Sequence, residues 1–200
     1  MNNQKYLLNT ENQFEDKVVI VTGSTQGSGA ETAKLFAYRG AKGITICGRS
    51  EDQGNEIKKE IETIGSECLY VKADLFEVDD CRNIVAQTDK TFGNVDCLVN
   101  VAGFTERGTI LSTTIDNYDK NFNINTRAPF ILMQDSIKIM IREKTKGTIV
   151  NILSMAMHSG MSFISAYSGS KAALATITKN VANAVSGHHI RVNALNIGWT

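Results

Sequence analysis

The chain has 200 residues, enough for one domain with a sizeable core and few for two. Acidic and basic residues balance at 21 each, which excludes the basic excess of a nucleic-acid binder and the polybasic segment of a membrane-surface protein. No apolar stretch nears the ~20 residues of a membrane-crossing helix, and the Asn- and Gln-rich start, residues 1–16, has no signal-peptide pattern. Cys47, Cys68, Cys81 and Cys97 are scattered, without C-x-x-C or a nearby histidine. No metal site is therefore expected, and reduced core thiols in a cytoplasmic protein are.

In chain order, residues 17–22 form a short β-branched apolar run, a buried strand. Helical periodicity covers 27–38, with Ala30, Ala33, Leu35, Phe36 and Ala37 supplying the buried side. Residues 43–47 read as a second strand, and Ser50 is placed to cap a helix reaching about residue 64, with Gln53 three positions on. A strand at 68–72, a helix at 78–92 and a strand at 95–99 follow. One long helical pattern spans 115–143, then a strand at 148–152, a helix at 164–185 and a strand at 189–195. Such alternation predicts an α/β fold, a doubly wound, mostly parallel sheet of at least six strands with helices on both faces. The near-continuous apolar strands suit a sheet buried on both sides. The expected organisation is a polar extension at 1–16 and a single Rossmann-like domain at 17–200.

Between the first strand and helix lies Gly23-Ser24-Thr25-Gln26-Gly27-Ser28-Gly29. Glycine allows a tight turn and brings backbone close to a ligand, and the helix N-terminus offers free N–H groups to a pyrophosphate. The spacing is neither G-x-G-x-x-G nor a P-loop, and the glycines alone would equally suit a plain turn. Further on stand Asn100-Val101-Ala102-Gly103 after the fourth strand, Ser154 after the fifth, and Tyr167 and Lys171 four apart on one helix face.

In that order and spacing, these motifs resemble the short-chain dehydrogenase/reductase family over 17–200, with Asn125 matching the family's asparagine in the long helix. The resemblance implies hydride transfer between a nicotinamide and a secondary alcohol or carbonyl. It assigns Asn125, Ser154, Tyr167 and Lys171 as catalytic. A free tyrosine, with a pKa of about 10, is a poor base, and a cation one helical turn away favours its anion. Tyr167 would then take or give the hydroxyl proton, Lys171 would tune it and hold the nicotinamide ribose, and Ser154 would donate to the substrate oxygen. Ser154 could equally close a strand end, and Tyr167 could be a buried aromatic. Pro129, the chain's one proline, gives no N–H to the carbonyl of Asn125. In the family that carbonyl holds a water in a proton relay to the lysine.

For the cofactor, the resemblance places Gly23, Ser24, Gln26, Gly27, Ser28 and Gly29 at the phosphates. Arg49, Ser50, Asp74 and Leu75 stand at the adenosine end, and Asn100, Ala102, Gly103 and Ile197 along the other wall, with Tyr167 and Lys171 at the nicotinamide. Gly48 stands where NAD-binding relatives carry an acid, and Arg49 can pair with a 2′-phosphate, so NADP(H) is expected, with NAD(H) the alternative. Arg49 could instead stack on adenine, and Asp74 could cap the following turn.

Ser28, Val101 and Ile197 depart from the family's common residues, and the chain stops at Trp199-Thr200, before the family's substrate loop and last strand. A C-terminally shortened chain is thus expected, with an exposed sixth-strand edge and a tendency to self-associate. Residues 104–110 and 155–163 remain as substrate loops. Met155, Met157, Met161 and Phe163 would line a pocket or simply fill it, and His158 reads as solvated. The expected partners are a small carbonyl or alcohol substrate and further copies of the chain, as a homodimer or homotetramer. The competing readings are a nucleotide-binding sensor or scaffold without turnover, an inactive fragment, or an interaction subunit.

Overall fold

The computed structural model describes residues 12–198. Six strands, β1 (Val18–Val21), β2 (Gly43–Gly48), β3 (Glu67–Lys72), β4 (Cys97–Asn100), β5 (Thr148–Ser154) and β6 (Arg191–Ile197), form one parallel sheet in the order 3-2-1-4-5-6. The helices between them are α1 (Gly27–Tyr38), α2 (Glu51–Ile64), α3 (Val78–Phe92), α4 (Ile115–Phe122), α5 (Ala128–Arg142) and α6 (Ser165–Val185).

Alternation along the strands sorts the core into two layers. Val19, Val21, Ile44, Ile46 and Val99 face one side and pack with Ala30, Ala33, Ile57 and Ile61 of α1 and α2. Ile20, Leu98 and Ile149 face the other and pack with Ile84 of α3, Leu132 and Met133 of α5 and Leu174 of α6. Nearly every strand side chain in the centre is buried because both faces are covered, as the unbroken apolar runs imply.

Several boundaries differ from the sequence reading for identifiable reasons. β4 starts at Cys97 because the Asp96 carboxylate takes the Val18 N–H at 2.9 Å and the Lys17 ammonium at 3.3 Å. β6 starts at Arg191 because His189 adopts a left-handed φ of 58° after the last turn following α6. Residues 12–16 dock on the domain: Phe14 packs edge-on against Phe36 at 4.6 Å and donates its N–H to the Arg39 carbonyl at 2.9 Å. The long central helix is interrupted at Asn123–Arg127 by a π segment, in which the Ala128 N–H reaches the Asn123 carbonyl. Ser50 caps α2 by accepting the Gln53 N–H at 3.4 Å, as the capping pattern implies. Trp199 lies outside the described residues.

Candidate active site

The strand order reverses between β1 and β4, and a cleft opens at the C-terminal ends of the strands there, where parallel sheets bind ligands. It encloses about 800 Å³. Gly23, Gln26, Gly27, Ser28 and Gly29 line it from the first turn, Arg49, Asp74 and Leu75 at one end, and Ala102, Gly103 and Ile197 along the opposite wall. A depression of about 820 Å³ between α1 and α2 holds none of these residues and is walled by surface charges such as the Lys34–Glu31 and Lys34–Glu60 pairs.

Two glycines are required by backbone shape: Gly23 has φ +61° and a side chain there would come 2.8 Å from the Ala102 Cα, while Gly27 has φ +55° in open space. At Gly29 a Cβ would sit 2.1 Å from the Gly23 carbonyl oxygen, so the first helical turn can lie against the strand only without one. The Thr22 hydroxyl accepts the N–H groups of Val101 at 3.1 Å and Ala102 at 3.2 Å, tying the two walls together. These bare loops beside a helix N-terminus fit a dinucleotide's pyrophosphate.

Not every residue the motifs point to faces the cleft. Ser24 is fully buried: its hydroxyl donates to the Val21 carbonyl at 2.5 Å and accepts the Cys47 N–H at 3.0 Å, fastening the glycine loop to β2. The Asn100 side chain turns into the sheet, donating to Asn151 Oδ1 at 2.8 Å, and Asn151 in turn donates to the Thr178 hydroxyl at 2.9 Å. The Ser50 hydroxyl is taken by its cap. Conversely, Thr25, Thr32, Phe104 and Ile152 line the cleft without having been singled out by motif. Thr25 was legible only in part, as the third residue of the run from Gly23 to Gly29. Phe104 is expected only as part of the 104–110 substrate loop, and Ile152 carries no local signal, since it is the parallel pairing of β4 with β5 that brings this part of β5 beside the cleft.

At the inner end, the Lys171 ammonium is buried and donates to the Ile152 carbonyl at 2.8 Å. Burial pushes its pKa down to about 8. Gly103 is the meeting point: a Cβ there would lie 3.6 Å from both the Lys171 Nζ and the Asn125 Oδ1. Asn125 is fully buried in the π segment, accepting the Phe104 N–H at 2.8 Å and donating to the Phe104 carbonyl at 2.8 Å and the Ser170 hydroxyl at 3.0 Å. Ser154 ends β5, opposite Ile197 in register, and its hydroxyl accepts the Ala156 N–H at 3.2 Å. Tyr167 lies half-buried one helical turn before Lys171. The arrangement offers a nucleotide cradle, a buried cation and two hydroxyls, Ser154 at the end of β5 and Tyr167 near the start of α6.

Known proteins resemble this chain in sequence and in fold. The short chain dehydrogenase family pattern matches residues 17–200. An uncharacterized oxidoreductase of Thermotoga maritima is 37% identical over 94% of this chain and 73% of its own length. Galactitol 2-dehydrogenase of Agrobacterium fabrum is 31% identical over 92% of this chain and 70% of its own. The crystal structure of a metagenomic short-chain oxidoreductase in complex with NADP superposes with a TM-score of 0.86 at 27% identity, covering 92% of this chain and 82% of that one. With the family pattern spanning the whole domain, and the six-stranded sheet and glycine cleft in place, the chain belongs to the short-chain dehydrogenase/reductase family of oxidoreductases.

Proposed function

We propose that the protein transfers hydride between NADP(H) and a carbonyl or secondary alcohol, with Tyr167 handling the substrate proton. The observation that carries this reading is the convergence of the Lys171 ammonium and the Asn125 side chain on Gly103, where the glycine-lined cleft ends. When bound, the nicotinamide supplies or accepts the hydride. The chain's own residues manage the rest. Tyr167 gives or takes the hydroxyl proton, and Lys171, one turn away, holds the ribose. Ser154 donates to the substrate oxygen as charge develops there. Asn125 fixes the Phe104 backbone beside the lysine.

NADP(H) over NAD(H) is supported by the end of β2. A side chain on Gly48 would meet the Thr25 Cγ2 at 2.5 Å and Oγ1 at 2.7 Å. An acid to bind a ribose 2′-hydroxyl would fit here only with a shift of the Thr25 side chain, while Arg49 lines the cleft beside it. The adenosine end is closed by Asp74 and Leu75. The relative named galactitol 2-dehydrogenase makes polyols the first substrate class to try. The four free cysteines suit a reducing, cytoplasmic setting. A homodimer or homotetramer is supported by apolar side chains left exposed along α4 and α5, among them Ile115, Tyr118 and Phe130.

The test is a fluorescence titration with NADPH and with NADH, followed by turnover on a panel of polyols and ketones. Tighter NADPH binding and turnover lost by at least about 100-fold in Tyr167→Phe are expected, on the scale of general acid–base catalysis. Preference for NADH would reverse the cofactor assignment. Binding without turnover on any substrate would leave a nucleotide-binding sensor on this fold.

A further inference from the structure

The π segment is where the catalytic and nucleotide ends of the cleft are joined. Three successive residues in it each donate a side-chain hydrogen bond beyond their own helix. Asn125 donates to the Phe104 carbonyl and the Ser170 hydroxyl, Thr126 to the Ser170 carbonyl at 2.9 Å, and Arg127 to the Phe76 carbonyl. Successive residues of a helical segment point in different directions around its axis, so one short stretch can reach the β4 loop, α6 and the β3 loop together. The first two anchor points adjoin Gly103 and Lys171. The third adjoins Asp74 and Leu75, which form the far wall of the cleft.

Apart from the Ala73 N–H, which donates to the Gly48 carbonyl of β2 at 3.1 Å, the β3 loop is otherwise held, among the described residues, within its own neighbourhood. The Asp74 N–H donates to the Asp80 carboxylate at 2.7 Å, the Phe76 N–H donates to Asp74 Oδ1 at 3.0 Å, and the Cys81 thiol lies 3.6 Å from the Leu75 carbonyl. Among the described residues, Arg127 supplies the one side-chain hydrogen bond to 74–77 from outside this loop and α3. Its guanidinium also sits over the Phe76 ring, 5.7 Å from the centroid. A planar cation that both stacks on a residue's ring and bonds that residue's carbonyl fixes it in two directions, which a flexible ammonium does less well.

We propose that Arg127 is a positioning residue that clamps Phe76, and through the Phe76 N–H bond to Asp74 the nucleotide wall, to the helix carrying Asn125. This inference rests on the reading that the cleft holds a nucleotide. It assigns Arg127 an effect on cofactor affinity exerted through Asp74, although Arg127 does not itself line the cleft.

The experiment is a double-mutant cycle read by NADPH fluorescence titration in wild type, Arg127→Met, Asp74→Ala and the double variant, with melting temperatures recorded in parallel. Each single change is expected to weaken binding about tenfold, the scale of one charge-assisted hydrogen bond. The double variant should bind no more than about threefold weaker than the weaker single one, because both changes remove the same restraint. Arg127→Lys, which keeps the charge without the planar fork, should fall between wild type and Arg127→Met. A merely structural arginine would lower the melting temperature without coupling to Asp74, so effects that multiply, or an unchanged affinity in Arg127→Met, would overturn the assignment. If Arg127→Met fails to fold, Phe76→Leu, which removes the ring under the guanidinium, replaces it in the same cycle and is judged by the same outcomes. If wild type binds neither dinucleotide, the nucleotide reading itself falls; if wild type binds and the cycle is additive, only the Arg127 assignment does.

Discussion

Lys171 holds its ammonium in the interior with the Ile152 carbonyl as its hydrogen-bond acceptor, which is why its pKa falls to about 8. The unfolded lysine stays protonated to about 10.4. Between these two values the unfolded chain therefore binds more protons than the folded one, and this residue's contribution makes stability rise with pH. The buried thiols act oppositely: burial pushes Cys47 and Cys68 up to about 12 and Cys81 and Cys97 to about 11, so their contribution is present below the unfolded thiol pKa and lost as pH rises towards these values. The informative quantity is thus the difference between Lys171→Met and wild type in denaturant melts. Lys171→Met should be the more stable below pH 8, by up to about 3 kcal/mol, with the gap closing as pH rises to about 10.5. A gap that stays constant with pH would mean that the ammonium is not strained by burial. Motif reading located this lysine and tied it to a tyrosine. That its chemistry is set by desolvation became visible only when β5 was seen to pass beside it.

The long central helix shows the same division at the level of an element. Its apolar periodicity reads as one continuous helix at 115–143, and Pro129 signals that one carbonyl in the preceding turn goes unserved. The fold resolves the conflict with a π segment at Asn123–Arg127, so that Pro129 enters α5 near its start and neither Ile124 nor Asn125 receives an N–H from it. Giving that position a donor should draw the backbone back towards regular helix and offer an N–H to the carbonyl of Asn125, the residue proposed to be catalytic. Pro129→Ala is expected to slow turnover about threefold to tenfold and shift its pH profile, with a smaller change in NADPH affinity, consistent with a step fed by a positioned acceptor. Steady-state kinetics across pH would check this, and an unchanged profile would reduce the proline to a kink.

For the whole molecule, the two sheet faces are not covered equally. α3, α5 and α6 pack one face, while the layer with α1 and α2 on the other is built mainly on β1, β2 and β3, with Val99 of β4 at its margin. Among the described residues β6 pairs with β5 alone, and Leu195 and Ile197 are 57% and 38% exposed there. An unpaired edge with apolar side chains invites association with other chains. Leu195→Lys should lower the weight-average mass seen by sedimentation at high concentration, with less than about 0.5 kcal/mol effect on stability because the side chain is exposed. Association unchanged by the lysine would direct attention to the exposed apolar side chains of α4 and α5 instead.

The order of strands and helices, the buried strands, the glycine loop and the spacing of Ser154, Tyr167 and Lys171 were determined by the sequence alone. They depend on local periodicity, on turns that require glycine and on neighbours within one or two helical turns. Three-dimensional packing decided what those rules do not reach. Ser24 and Asn100 belong to motifs yet serve as internal fasteners, because neighbouring strands offer partners to their buried polar groups. Gly48 is confined by Thr25, more than twenty positions before it in the chain, and Arg127 of the π segment finds Phe76 in the loop after β3. Contacts between segments far apart in sequence leave no periodic trace in either segment, so only the folded chain shows which of its polar residues meet.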